Sequence, residues 1–420
     1  MVLYSKEHTG LTETRKPRFF YGYVIVMAAS ITQLIAFGTY TTTGVFLNPI
    51  IDEFGWLRAT MSGAYTLAYV IMGFSALLGG ALCDRLGPRI IITVCAFSFG
   101  LGHLLLSQMD AIWQLYLFNF LIGIGIGTIE VVPLATIARW FVRRRGAMTA
   151  IAKAGVGLGI ALIPMMSSWI ISVYGWRNAY VVLGALVLLV IIPTAQLFKR
   201  DPGKMNLLPD GEPQDNTNKL GLKEIGLTVR QALHTWQLWV LCIVYLTNAF
   251  SMQTIMIHIV PHAKNLGIAN RQADSLISVV GAVSIAGRLV MGFAGDKIGN
   301  RRAVTICLLV LVAGLIWIQF AQELWMLYLF VTLYGFNHGG IITVISPAVA
   351  ELFGTRAQGS LLGIVVSIGI TISALGPLLA GYIFDVTGGY NLAFLIMLVL
   401  VCIGLALSLI LKPIKEGHYE

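Results

Sequence analysis

Apolar residues along this chain gather in twelve long runs separated by short polar breaks. The runs cover residues 20–47, 57–81, 89–108, 112–138, 146–173, 177–198, 237–262, 272–295, 302–320, 324–350, 359–384 and 391–411. A helix rising ~1.5 Å per residue needs about 20 residues to cross the ~30 Å hydrocarbon of a bilayer. The pattern predicts an all-α membrane protein with twelve transmembrane helices, called spans 1 to 12 below. Spans 6, 9 and 12 are almost featureless, as in the stretch ICLLVLVAGLIWI from Ile306, and suit a lipid-facing periphery. Span 3 is similar apart from His103. Polar side chains concentrate in spans 1, 4, 5, 7, 8 and 10.

Composition agrees. The 420 residues are 57% hydrophobic and 11% charged, with mean hydropathy +0.82. Soluble domains carry about 25% charged residues, and a surface facing lipid explains the deficit. Lysine and arginine set the orientation. The two tails and the even-numbered loops hold 22 of the 28, and the odd-numbered loops hold four. By the positive-inside rule both termini are cytoplasmic. The net charge of +9 is then a topology signal and implies no nucleic-acid partner. The five cysteines lie in or beside apolar runs without metal-ligand spacing. The basic N-terminus (Arg15, Lys16, Arg18) precedes a run too long for a signal-peptide core, so span 1 reads as an uncleaved helix.

The two halves repeat. Gly80-Ala-Leu-Cys-Asp84-Arg85-Leu-Gly87-Pro-Arg89 returns 212 positions later as Gly292-Phe-Ala-Gly-Asp296-Lys297-Ile-Gly299-Asn-Arg301. Trp113-Gln-Leu-Tyr116-Leu-Phe118 returns as Trp325-Met-Leu-Tyr328-Leu-Phe330 at the same offset. This predicts two pseudo-symmetric six-helix bundles, residues 1–198 and 237–420, joined by a cytoplasmic linker, 199–236. A site is expected between them near the midplane. In the linker, Leu222 to Leu233 suggests a short amphipathic helix at the cytoplasmic surface.

The paired GxxxDRxGxR loops and the six-plus-six repeat resemble the major facilitator superfamily over essentially the whole chain. The Asp and the basic residues of such loops can clamp helix ends in one state, the glycines permitting close approach. Asp84, Arg85, Arg89, Asp296, Lys297 and Arg301 are therefore assigned to gating. Arg139-Trp140-Phe141, then Arg145-Gly146 and a glycine-rich helix through Gly155, Gly157 and Gly159, is similar to the monocarboxylate transporters and oxalate/formate exchangers. So is an arginine eight residues before the Asp of the second loop, Arg288. The resemblance implies that Arg288 engages a substrate carboxylate. A cation that deep in hydrocarbon costs at least ~2.5–3.5 kcal/mol unless it faces a cavity or a partner.

Lys153 is the second cation within a span and departs from the related families. Glu130 lies at similar depth on span 4, so the two can neutralise each other, and Lys153 can contact the substrate; the two roles are compatible. Where monocarboxylate transporters place an Asp, this chain has Ser284, and their span 1 lysine falls near Thr41. A copied proton mechanism is thereby in question, and Glu130, His338 and His258 are the proton-coupling candidates. The remaining pocket candidates are Asn119, Tyr334, Asn337, His338, Tyr40, Thr41 and Ser284. His258 and His262 have metal-compatible spacing, but Pro261 interrupts them and no third ligand is evident; no metal or cofactor is expected.

The expectation is a secondary carrier working by alternating access in the plasma (inner) membrane, functional as a monomer. Its cargo is a small carboxylate anion, most simply a monocarboxylate moved with a proton. Alternatives are anion exchange using Arg288 with Lys153, and a proton-driven drug exporter relying on Glu130. No P-loop, nucleophile elbow or paired catalytic carboxylates point to an enzyme.

Overall fold

The computed structural model describes residues 20–205, 207–211 and 226–412. The basic N-terminal tail, most of the linker and Lys415 lie outside the described residues. The elements are α1 (Gly22–Tyr40), α2 (Thr43–Phe54), α3 (Arg58–Leu86), α4 (Pro88–Leu106), α5 (Ile112–Trp140) and α6 (Arg145–Leu186). A π turn leads into α7 (Ile192–Ala195). Then come α8 (Val229–Leu233), α9 (Trp236–Asn265), α10 (Asn270–Ile298), α11 (Asn300–Ile318), α12 (Leu324–Phe353), α13 (Gln358–Ser373), α14 (Leu375–Thr387) and α15 (Asn391–Ile410).

Eleven described segments are long and apolar enough to cross a membrane. One of them, Arg145–Ala195, has 51 residues, about 76 Å of helix and over twice the hydrocarbon thickness. It is two spans joined at Gly175, whose φ of +82° breaks the helical path. Before the break α6 runs parallel to α1, with Gly155 against Ser30 and Gly159 against Leu34. After it the chain runs antiparallel to α4, with Gly184 against Leu104 and Leu188 against Gly100. The twelve crossings expected from the hydrophobic pattern are all present.

Two spans are longer than their apolar runs and are broken. Span 1 extends to Phe54 as α1 and α2. The Thr41 and Thr42 hydroxyls donate back to Phe37, Gly38 and Thr39 carbonyls at the break, competing with the helical ladder. Span 11 breaks at Ala374 between α13 and α14. Pro377 has no N–H to offer the Ser373 carbonyl. The linker helix is shorter than expected. Of 222–233 only Val229–Leu233 is helical among the described residues, capped by Thr228 and Gln231. Before it, Leu227 donates its N–H to Phe353 at 2.9 Å, so this strand of linker pairs with the end of α12 instead of coiling.

The outer surface is apolar. Ile90, Val94 and Phe97 on α4, Leu309 and Ile316 on α11, and Leu395, Val399 and Ile403 on α15 are exposed. Such a continuous apolar surface needs a lipid or protein partner. It coincides with the featureless spans.

The bundles meet along two helix pairs, α3 with α13 and α6 with α10. Glycine makes both contacts possible. A Cβ on Gly80 would overlap the Gly359 carbonyl, and one on Gly146 would overlap that of Gly292. The pairs Gly80–Gly359 and Gly292–Gly146 are equivalent under the internal repeat.

Candidate functional site

The constellation at the centre is built on α5, α6, α10 and α12. Lys153, on the α6 face that meets α10, gives its Nζ to both Glu130 oxygens on α5, at 2.7 and 2.6 Å. Lys153 is 1% exposed and Glu130 8%. The ammonium also stands 5.2 Å from the Phe37 ring centroid. The ion pair weighed from sequence is therefore formed, bidentate and out of water.

Arg288 is 2% exposed and is held by the packing of α10. Gly339 of α12 sits so tightly on Ser284 and Arg288 backbone that a Cβ there would overlap the Ser284 carbonyl. Across the bundle boundary, a Cβ on Gly157 of α6 would lie 3.1 Å from Arg288 Nη1. These two glycines fix where the guanidinium can point. It donates to the Ser284 hydroxyl at 3.2 Å. Its Nε has no partner, and it has no ion pair among the described residues. Ser284 in turn donates to Gly281. Gly157 lies one turn from Lys153 on α6, so the Lys153–Glu130 pair and Arg288 stand on facing helices of the two bundles. His338 precedes Gly339 on α12, the helix that seats Arg288.

The other sequence candidates fall into two sets. His338 is half-buried, with Nδ1 unpartnered among the described residues, and packs beside Tyr334 at 5.9 Å between centroids. Tyr334, Asn337, Asn119 and Thr41 are engaged within their own bundles. Tyr334 donates to Met252 at 2.7 Å, Asn337 to Asn248 at 3.0 Å, Asn119 to Leu115 at 2.9 Å, and Thr41 to its own helix. Asn337 keeps its carbonyl oxygen free of protein donors. Tyr40 is half-buried against the N-terminal core. His258 is not brought to the cluster. Its ring nitrogens meet Tyr390 at 3.3 Å and the Pro377 carbonyl at 2.9 Å, between α9, α14 and the start of α15.

Sequence reasoning missed Tyr69, Tyr245 and Asn248. Tyr69 reaches across the bundles to Ser373 at 3.3 Å, and Tyr245 packs against Gly369 of α13. Buried tyrosines in apolar spans look like core residues, so only their neighbours reveal them.

The repeated loops form a second, reciprocal feature at one end of the molecule. Asp84 accepts from Gly359 N–H at 3.1 Å, Ser360 N–H at 2.8 Å and Ser360 hydroxyl at 2.6 Å, all at the start of α13. Asp296 accepts from Gly146 and Ala147 N–H at 2.6 and 2.8 Å, at the start of α6. Each loop thus caps a helix N-terminus of the opposite bundle, where unsatisfied N–H groups and the helix dipole favour a carboxylate. The basic members differ from expectation. Arg85, Arg89 and Lys297 are exposed on the surface, and Arg301 binds the Leu411 carbonyl of its own bundle. The cation that joins the clamp is Arg139, with Nη2 2.5 Å from Asp84. An arginine beside a helix end is held by Asp84 in a way that a long, solvated Arg85 side chain is not.

Toward the other end α6 and α10 separate. The faces that meet at Gly146, Gly157, Ile285 and Gly292 continue to Ile160 and Ala161 and to Ser278 and Gly281, all exposed. A Cβ on Gly281 would meet nothing within 4 Å. The α6 and α10 faces are thus clamped at the Asp84/Asp296 end and part beyond the charge cluster, while α3 and α13 stay in contact.

Residues 29–261 and 241–419 match the family model of the Major Facilitator Superfamily. The chain belongs to that superfamily. Among curated relatives it is similar to Monocarboxylate transporter 13 of Rattus norvegicus, 26% identical over 386 residues that cover 91% of this chain and 87% of the relative. It is also similar to the Oxalate:formate antiporter of Oxalobacter formigenes, 27% identical over 406 residues, 94% and 92% of the two chains. The resemblance read from the loops and from the Arg-Trp-Phe stretch is borne out. Among solved structures, the proton:xylose symporter XylE has a TM-score of 0.76 at 14% identity, covering 95% of this chain and 98% of that one. The human organic anion transporter MFSD10 has a TM-score of 0.73 at 16% identity, covering 92% and 99%. These two show the fold of this superfamily member: twelve transmembrane helices in two bundles. The protein is an integral membrane transporter, and its relatives are transporters, not enzymes.

Proposed function

We propose that this transporter moves small carboxylate anions across the plasma (inner) membrane, with both termini cytoplasmic, exchanging one anion for another by alternating access. The observation that carries this is Arg288, buried between the bundles with a neutral hydroxyl as its hydrogen-bond partner and no ion pair among the described residues. An anion entering from the parted end pairs with Arg288, where the guanidinium offers a planar fork that fits a carboxylate. His338 lines the approach, with Tyr334, Asn337, Asn119, Tyr40, Thr41 and Ser284 shaping the walls. Arg288 is already buried without an ion pair, so the empty carrier holds an uncompensated charge that opposes full closure of the bundles. A bound anion removes that cost. The loaded carrier therefore switches and the empty one stays, which is exchange.

The rocking bodies are the bundles 1–198 and 237–420, and each chain, with a complete site, acts as a monomer. Release of the Asp84 and Asp296 caps opens the cytoplasmic side. Co-transport with a proton is a second reading, supported by Glu130 and His338 standing in the same cluster as Arg288. The names of the two curated relatives, one a monocarboxylate transporter and one an oxalate:formate antiporter, support the carboxylate class.

The test is uptake of labelled lactate, pyruvate, formate and oxalate into proteoliposomes, with and without unlabelled anion inside, and with and without an imposed proton gradient. Internal anion is expected to accelerate uptake, and Arg288→Ala to abolish it. Normal carboxylate uptake by Arg288→Ala refutes the assignment. Acceleration by the proton gradient alone selects co-transport over exchange.

A further inference from the structure

We propose that Glu130 sets the charge of the cargo: by holding Lys153 it leaves Arg288 as the uncompensated cation of the cluster and restricts the site to monoanions. The inference rests on the carboxylate reading above and deepens it.

The geometry supplies the reasons. Both Glu130 oxygens are taken up by one ammonium, at 2.6 and 2.7 Å, and neither residue is appreciably exposed. Away from water, such a pair satisfies itself and leaves little charge for a third group. The Lys153, Glu130 and Arg288 charges sum to +1. One carboxylate brings the closed site to neutrality. A second carboxylate on the same molecule would meet a lysine already engaged and the Glu130 carboxylate itself. Buried uncompensated charge opposes closure, so a dianion binds to an open site without allowing the bundles to close. The site holds two cations, as a dicarboxylate would need, and Glu130 takes one of them out of use.

Glu130→Gln keeps the shape of the side chain and removes its charge. It frees the Lys153 ammonium and raises the cluster to +2, matching a dianion. The experiment is exchange in proteoliposomes of the full chain, comparing labelled oxalate with labelled formate and lactate. The parent is expected to exchange the monoanions in preference. In Glu130→Gln the oxalate-to-monoanion uptake ratio is expected to rise at least tenfold. In Glu130→Gln/Lys153→Gln, which restores +1, it is expected to return to the parent value. A role for Glu130 in folding alone would lower all uptake without changing that ratio. Where Glu130→Gln does not fold, Lys153→Gln serves. It leaves Glu130 free to neutralise Arg288 and is expected to lower monoanion exchange at least tenfold. An unchanged ratio in Glu130→Gln, an equal shift in the double variant, or full monoanion exchange in Lys153→Gln overturns the inference while leaving Arg288 as the anion site. Absence of carboxylate uptake by the parent overturns both.

Discussion

The two Asp caps are equivalent in sequence but unequal in bonding, and this asymmetry gives a quantitative prediction. Asp84 accepts from four donors: the Arg139 guanidinium, two N–H groups and a hydroxyl. Asp296 accepts from two N–H groups. An Asn at position 84 loses the ion pair, and its amide NH2 must face donors that now lack an acceptor. Hydrogen bonds to charged groups contribute about 1.5–3 kcal/mol each, and breaking a buried ion pair costs about 3–5 kcal/mol. The Arg139 ion pair lies within the N-terminal bundle and is lost from both states, whereas the three bonds from α13 are lost from the clamped state alone. The Asp84 side chain is 13% exposed, so water recovers part of their strength, and losing two of the three charged bonds at the lower figure gives about 3 kcal/mol. That multiplies the ratio of unclamped to clamped molecules roughly 150-fold. Asp296→Asn forfeits one charged bond, about 2 kcal/mol, or roughly 30-fold.

Spin labels at Leu86 and Arg302, exposed residues on the two bundles at the clamped end, read the opening as a distance distribution. The exposed native cysteine, Cys402, is first replaced by serine. Asp84→Asn should move most of the population to the longer distance, and Asp296→Asn a smaller part. Equal effects, or the larger effect from Asp296, would refute the reasoning. So would a Ser360→Ala variant that opens the clamp no more than the parent does, since the Ser360 hydroxyl is the cross-bundle bond that has no counterpart at Asp296.

Further predictions follow from the packing and the buried charges. Lys153→Ala breaks the buried Lys153–Glu130 pair and should destabilise the protein by about 3–5 kcal/mol in thermal or denaturant unfolding; Lys153→Met/Glu130→Gln should recover most of that loss. Gly339→Ala forces α12 off the Ser284 carbonyl and should lower stability by about 1–3 kcal/mol and displace Arg288. Gly281→Ala, which meets open space in a helix interior, should raise stability by about 0.5–1 kcal/mol.

The hydrophobic pattern was sufficient to count the crossings because lipid demands a helix of fixed length for each one. Even the merged 51-residue segment resolves into two spans as the sequence predicts, with Gly175 supplying the turn. The internal repeat likewise marked Asp84 and Asp296 as a matched pair. The pattern did not show what each Asp touches. Arg85 follows Asp84 in the chain, yet the guanidinium that binds Asp84 comes from Arg139 on another helix. Sequence neighbours on a helix point in different directions, and contact depends on how helices cross.

The same division holds at the centre. Sequence alone determined that Arg288, Lys153 and Glu130 lie within spans, because a charge in hydrocarbon stands out against any apolar run. It could not choose between Lys153 paired with Glu130 and Lys153 waiting for substrate, since both fit the same helix depth. Likewise His258 and His338 are equally polar interruptions on paper. Tertiary structure separates them: His338 packs beside Tyr334 on α12, the helix that seats Arg288, whereas His258 closes a local bond between α9 and α14. Burial depth is a property of position along one helix and can be read from the chain. Partnership is a property of which faces meet, fixed here by glycines such as Gly157 and Gly339 that allow α6, α10 and α12 to approach closely enough to bring the charges together.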